Sequence, residues 1–304
     1  MTDHRFGGDW TADKLERVRK YLKAYMTIFS GNERARKLTP IYVDAFAGTG
    51  YRTPASDPPP DNPLFPELEE PETKAFLKGS ARIALEVEPP FKRYLFIERD
   101  PERAKELEKL VNEFRGRVQF KERNIEVVEA EANEYLIQWC RQNNWQSSRA
   151  VVFLDPYGMQ VSWDLIEALG QTRAVDLWLL FPLGMAVNRL LTRNQPPTGP
   201  WANALTRMFG TNEWEKAFYA HHTQMTIFGE EKDYYTKEAD FNMIGRFFIG
   251  RLKKAFHRVA ENPLALRNSC NNPLYLLCFA SGRSSAGEPF TRQGELSTYI
   301  ATNP

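Results

Sequence analysis

Apolar side chains recur at two different periods along this chain, and each change of period marks an element. Over residues 11–29, Leu15, Val18, Leu22, Tyr25 and Phe29 fall three and four apart. That is the spacing of one face of an amphipathic helix, which Thr11 can cap and Gly31 can end. The run Ile41-Tyr42-Val43-Asp44-Ala45-Phe46 is short and rich in β-branched and aromatic residues, so it predicts a buried strand. It breaks at once into Ala47-Gly48-Thr49-Gly50. Short apolar runs then alternate with helical periods. Arg93-Tyr94-Leu95-Phe96-Ile97-Glu98 precedes a helix opened by Asp100-Pro101 and running to Phe114. A weaker run at 125–128 precedes a helix that reaches Trp139. Ala150-Val151-Val152-Phe153-Leu154-Asp155 precedes a helix at 163–169 with Ser162 as its cap, and 175–181 is a further strand closed by Pro182.

Five such units predict an α/β fold, a mostly parallel and doubly wound Rossmann-like sheet. Two late apolar runs, 264–267 and 274–280 with a turn at Asn271-Asn272, predict an antiparallel hairpin at the C-terminal end. Between these parts, 185–260 is mainly helical in pattern, interrupted at Gln195-Pro196-Pro197. The stretch 51–78 is acidic and dense in proline, including Pro58, Pro59, Pro60, Pro63, Pro66 and Pro71. Few regular elements survive that proline density, and we read the stretch as a lid or a disordered insertion. Gly79-Ser80 then introduces a helix at 81–88. The expected organisation is an N-terminal helix at 1–35 and one domain at 36–304. That domain carries the insertion at 51–78 and a helical subdomain at 185–260.

Composition narrows the class. The chain has 304 residues, 42% of them apolar and 26% charged, enough for a well-filled core of ordinary globular type. The formal net charge is +1, so no global field draws a polyanion, and any binding of nucleic acid has to come from a local patch. The three cysteines, Cys140, Cys270 and Cys278, are far apart and form no C-x-x-C pair, and none of the four histidines lies close to them in sequence. That excludes a disulfide framework and a zinc site, and fits reduced thiols in a cytoplasmic protein with no metal. The N-terminus has no apolar signal region, and the longest apolar runs are too short to span a bilayer, so the expected protein is soluble with no membrane partner.

Parallel sheets bind ligands beyond the carboxyl ends of their strands. The residues that follow each predicted strand are therefore the candidates. Gly48 and Gly50 let the backbone turn tightly and approach a ligand. Asp44 can accept from an ammonium or hold the glycine loop, with Phe46 beside it. Glu98 closes the second strand, where a carboxylate can accept two hydrogen bonds from a ribose diol. Glu131 and Ala132 follow the third strand, where small or acidic residues can meet an adenine. A dinucleotide site prefers G-x-G-x-x-G leading directly into a helix. Here the third glycine is missing and the loop enters the proline-rich stretch, so no helix N-terminus follows to hold a pyrophosphate. That favours S-adenosylmethionine, which has no phosphate, over NAD.

In this order, Asp44-Ala45-Phe46-Ala47-Gly48-Thr49-Gly50, Glu98-Arg99-Asp100 and Leu154-Asp155-Pro156-Tyr157-Gly158 resemble class I S-adenosylmethionine-dependent methyltransferases. More narrowly, the chain resembles the three-Cys-motif partner protein family. Gly79-Ser80, Asp176-Leu177-Trp178, Phe181-Pro182 and Leu274-Tyr275-Leu276 add to the match, which covers most of the chain. The resemblance implies methyl transfer, and a protein partner encoded nearby that carries the three cysteines. Ala130-Glu131-Ala132 departs from the small or Gly-Asp element usual after the third strand.

Asp155, Pro156, Tyr157 and Gly158 are similar to the Asp-Pro-Phe-Gly of tRNA guanine-N2 methyltransferases and to the signature of amino-methyltransferases in general. An exocyclic base amine is a poor nucleophile because its lone pair is delocalised. Asp155 and the carbonyl of Pro156 can accept its N–H bonds, and Tyr157 can stack on the ring. Most of the catalysis would be positioning. The alternative is a plain strand-end turn with Tyr157 in the core. The resemblance thus implies a nitrogen acceptor on a nucleic-acid base, in tRNA or DNA. A small-molecule methyltransferase, or a non-catalytic partner in a defence or nucleic-acid-processing system, stays open beside it. Arg189 and Arg193 follow the fifth strand and can add to a substrate surface. Arg251-Leu252-Lys253-Lys254-Ala255-Phe256-His257-Arg258 reads best as a solvated helix face. His221-His222 are adjacent and so point different ways, which speaks against a metal pair.

Overall fold

The computed structural model describes residues 9–47, 71–156, 158–225, 228, 231–268 and 270–282. It is a mixed α/β protein with a mostly parallel eight-stranded sheet and antiparallel strands at its C-terminal end, the Rossmann-like class expected from the sequence. The chain divides into two units, Met1–Ala132 and Asn133–Pro304.

The first unit contains α1 (Asp9–Gly31), α2 (Glu33–Arg36), β1 (Thr39–Ala45), α3 (Pro71–Glu86), β2 (Arg93–Glu98), α4 (Pro101–Arg115) and β3 (Asn124–Glu129). β2 runs parallel to both β1 and β3, with Val43 opposite Leu95 and Leu95 opposite Glu126. β1 and β2 are buried along almost their whole length, as strands covered on both faces must be. β3 carries glutamates and is largely half-exposed, which accounts for its weak apolar signal. Aromatic side chains fill this unit. Tyr25 of α1 stacks on Phe29 at 4.9 Å and on Phe91 at 5.8 Å between ring centroids. Phe91 in turn meets Tyr42 at 5.8 Å, and its N–H donates to the Tyr94 hydroxyl at 2.9 Å. The periodic face of α1 is thus an aromatic face laid against the start of the sheet. α3 begins at Pro71, earlier than the sequence suggested, so Gly79-Ser80 lies inside a helix rather than at its start. Gly79 serves a close approach. A Cβ there would lie 2.9 Å from Leu15 Cδ1 of α1.

The second unit carries most of α5 (Ala132–Gln142), then β4 (Ser148–Leu154), α6 (Trp163–Gln171) and β5 (Val175–Phe181). A π-helical turn, Leu183–Val187, leads into α7 (Asn188–Leu190), followed by α8 (Pro200–Phe209) and α9 (Glu213–Phe218). The last elements are β6 (Tyr219–Met225), β7 (Glu231–Lys237), α10 (Phe241–Ala255), β8 (Arg258–Val259), β9 (Leu264–Arg267) and β10 (Pro273–Ser281). β4 and β5 are parallel, with Leu154 opposite Leu179. β10 runs antiparallel to β5, β8 and β9. The core centres on Phe181, which stacks on Phe248 of α10 at 4.0 Å. The stretch read as mainly helical contains α7 to α10, and the structure adds to it the separate two-stranded sheet of β6 and β7.

Cys140 and Cys278 are buried and Cys270 is exposed. Burial pushes the Cys140 thiol up to about 12 and raises that of Cys278 as well. Among the described residues no helix is long and apolar enough to cross a membrane, and no group of three potential ligands is placed to hold a metal ion.

Candidate cofactor and substrate sites

The parallel register of β1, β2 and β3 decides which side chains meet in the first unit. Ala45 lies opposite Ile97, and just beyond it the N–H of Ala47 donates to the Ile97 carbonyl at 2.9 Å. Glu98 lies opposite Glu129, and the N–H of Ala130 donates to the Glu98 carbonyl at 3.1 Å. The chain segments at Phe46, Glu98 and Glu131-Ala132 therefore leave adjacent strands at one edge. Neighbouring strands are about 4.8 Å apart, so three such exits span roughly the width of a nucleoside.

Two carboxylates are buried there. Asp44 is 1% exposed and accepts from the Tyr42 hydroxyl at 3.3 Å, two residues back on the same strand face. Glu98 is 6% exposed, and its Oε1 accepts from the N–H of Asp100 at 2.6 Å. Burial raises the pKa of Glu98, while the N–H of Asp100 and the charge of Arg103 pull it back. No side-chain donor hydrogen-bonds to Glu98 among the described residues, so it retains capacity for hydroxyl donors. Phe46 is half-buried with φ of 66°, the left-handed region that a bulky residue enters only under constraint. The chain thus turns sharply out of β1. Glu131 is half-buried and Ala132, at the start of α5, is buried. Gly48 and Gly50 lie outside the described residues.

In the second unit, Asp155 follows β4 directly and is half-buried, and Pro156 is buried. Tyr157 lies outside the described residues. Gly158 has φ of 66°, where an L side chain would be strained, so the loop reverses on a glycine. Sequence reasoning did not single out Asn133. This buried residue in the first turn of α5 donates through Nδ2 to the Gln160 carbonyl at 2.9 Å. Its Oδ1 accepts from the N–H of Ser162 at 2.8 Å. Arg207 of α8 reaches the same Gln160 carbonyl at 3.4 Å. The far end of the Asp155 loop is thereby tied to α5, while Ser162 caps α6 through the N–H of Leu165 at 3.4 Å. No local motif signals this clamp, because its partners are remote in sequence.

No protein-family model and no curated protein matches the chain. Solved structures do. A complex of Trm1 from Pyrococcus horikoshii with S-adenosyl-L-methionine is 12% identical with a TM-score of 0.48, over 96% of this chain and 58% of that one. The chain thus spans less than two thirds of the length of Trm1. Protein LPL1258 from Legionella pneumophila is 14% identical with a TM-score of 0.38, over 81% of this chain and 90% of that one. The yhhF protein of Escherichia coli is 15% identical with a TM-score of 0.29, over 74% and 88%. These are similarities of fold, and the chemistry has to be read from this chain's own residues.

The other sequence candidates resolve simply. His221 and His222 lie on opposite faces of β6. Arg251 is fixed to the end of α8, its Nε donating to the Phe209 carbonyl at 2.8 Å and its guanidinium lying 4.7 Å from the Trp163 ring. Lys253 pairs with Glu261 at 2.6 Å, as a solvated helix face would.

Proposed function

We propose that the chain is an S-adenosylmethionine-dependent methyltransferase acting on an exocyclic amine of a nucleic-acid base. The observation that carries this reading is the buried Glu98 carboxylate at the end of β2, without a side-chain donor, beside the exits of β1 and β3. A buried carboxylate with free acceptor capacity suits the two hydroxyls of a ribose. Phe46 and Ala132 offer apolar contacts on either side, Glu131 an acceptor for adenine, and Asp44 an anchor for the glycine loop or an ammonium. Gly48 and Gly50 would let the backbone approach the ligand.

When bound, S-adenosylmethionine supplies a methyl group already activated by the positive sulfur. The rest falls to the chain. Asp155 and the carbonyl of Pro156 accept N–H bonds from the acceptor amine, localising its lone pair, and Asp155 is the acceptor for the proton the nitrogen sheds. Tyr157 would stack on the base, and Asn133 holds the far end of the loop at Gln160 and Ser162. The resemblance to three-Cys-motif partner proteins adds a proposed protein partner, and tRNA and DNA are the first acceptors to examine.

Calorimetric titration with S-adenosylmethionine and S-adenosylhomocysteine tests the reading. Wild type is expected to bind with micromolar affinity. Glu98→Ala should weaken binding at least about tenfold, since hydrogen bonds to a charged group contribute roughly 1.5–3 kcal/mol. Transfer of labelled methyl groups to tRNA or DNA then identifies the acceptor. A folded wild-type protein that binds neither ligand would overturn the reading and leave a non-catalytic role.

A further inference from the structure

The β6–β7 hairpin belongs to no larger sheet. Its seven pairs run from Tyr219 opposite Lys237 to Met225 opposite Glu231, and no third strand joins them among the described residues. An isolated hairpin is marginal in water, so this one depends on its root. There the Tyr219 hydroxyl donates to the Thr192 carbonyl at 2.8 Å, and the N–H of Lys237 donates to the Arg193 carbonyl at 3.0 Å. Lys237 Nζ donates to Asn188 Oδ1 at 2.8 Å. Beyond the root both faces are open.

Those open faces carry aromatic rings. His222 stacks on Tyr234 with centroids 5.0 Å apart and planes 21° apart, and His221 meets Tyr235 on the opposite face at 4.9 Å. Tyr234 and Tyr235 are 41% and 39% exposed, and Phe228, between the strands, is 84% exposed. Large apolar groups held out on a braced backbone mark a surface that meets something. The charges indicate what. Arg193 is exposed and pairs with no carboxylate among the described residues, whereas the three donors of Lys237 Nζ are all committed to oxygens of Asn188 and Leu191. An exposed guanidinium without a carboxylate partner suits a phosphate. Burial, and then the charge of Arg193, lowers the pKa of Lys237. On the face with His222 and Tyr234, positions 220, 222 and 224 stand against 236, 234 and 232, and none is acidic. On the other face, Asp233 accepts from Thr223 at 2.7 Å and lies 3.4 Å from His221 Nε2, and exposed Glu231 stands opposite Met225, so that face is acidic and unsuited to a polyanion.

The His222–Tyr234 rings, with Arg193 exposed at the root, form a stacking platform beside a cation, the combination that holds single-stranded nucleic acid. Topology places the root usefully. β4 and β5 are parallel neighbours, so Asp155 and the segment from Pro182 to Arg193 leave the sheet at the same carboxyl edge. We propose that the β6–β7 hairpin is an arm that grips an unpaired stretch of nucleic acid. A base stacks on the His222–Tyr234 pair and a phosphate meets Arg193. The proposal deepens the methyltransferase reading by naming how its acceptor is held, and it rests on that reading only for its biological purpose.

The test is fluorescence anisotropy of a labelled single-stranded RNA and of its DNA counterpart, with the S-adenosylmethionine titration run on each variant. Tyr234→Ala should weaken binding about tenfold, the loss expected for one stacked base, and Tyr234→Phe should restore it. Arg193→Glu should weaken binding and flatten its dependence on salt, whereas Lys109→Glu on exposed α4 should not. Cofactor binding should be unchanged throughout. The proposal is overturned if the wild type binds neither oligonucleotide, or if the hairpin variants, folded by circular dichroism, bind as tightly as wild type. Loss of cofactor binding in the wild type, with oligonucleotide binding intact, would remove the methyltransferase reading and leave the arm standing.

Discussion

Glu98 sets stability against binding within a single side chain. Burial raises its folded-state pKa above the unfolded value, so its contribution to stability is full below the ordinary carboxyl range and is lost as pH rises through the raised value. At neutral pH the ionised group is therefore a cost to the fold. Glu98→Gln removes that cost, and its amide oxygen can still accept from the N–H of Asp100. The variant should melt at a higher temperature than wild type at pH 7, with the difference vanishing near about pH 4, while binding S-adenosylmethionine more weakly. Thermal melts across pH check the first part, and a variant that melts lower at pH 7 would refute it. Asn133 shows the reverse case, a buried polar group that is well satisfied. Asn133→Ala leaves the N–H of Ser162 without its partner, at a cost of about 1–3 kcal/mol. Urea unfolding should show that loss, and limited proteolysis should cut the Asp155–Ser162 loop faster. Asn133→Asp should not rescue the loop, because it has no donor for the Gln160 carbonyl.

Helix α4 shows how far local chemistry decides an element. Asp100 accepts from the N–H groups of Glu102 at 3.0 Å and Arg103 at 3.1 Å, and Pro101 starts the helix at the one position where a missing N–H costs nothing. Asp100→Ala should destabilise the protein by about 1 kcal/mol in denaturant titration, and Asp100→Asn should recover most of it. Such cap signals, with the change from helical to strand period, made α4, α6 and the strands β4, β5 and β9 readable from the sequence. α3 was read late because Gly79-Ser80 imitates a helix start, whereas Gly79 answers to Leu15 across the helix pair. The β6–β7 hairpin was missed for a related reason. A strand exposed on both faces has no apolar side to alternate with a polar one, and Tyr219, His221, Thr223 and Met225 show a strand only once the partner strand is known.

At the scale of the molecule, the strand-end positions of the candidate site residues were legible because parallel α/β sheets place ligands beyond the carboxyl ends of their strands. A strand's end is visible wherever an apolar run stops at Asp, Glu or Gly. Asp44, Glu98 and Asp155 were singled out in that way, and the structure places each at or just beyond the end of its strand. The left-handed turn at Phe46 and the Asn133 clamp were not, since both depend on contacts made after the chain has folded. The fate of the three sulfurs likewise depends on tertiary burial. Reagents and oxidants attack the thiolate, and Cys140 and Cys278 are shut off both by burial and by their raised pKa. In the native state the chain thus behaves as a single-thiol protein. A maleimide dye would settle on Cys270, in the turn between β9 and β10, with no cysteine to be engineered out first.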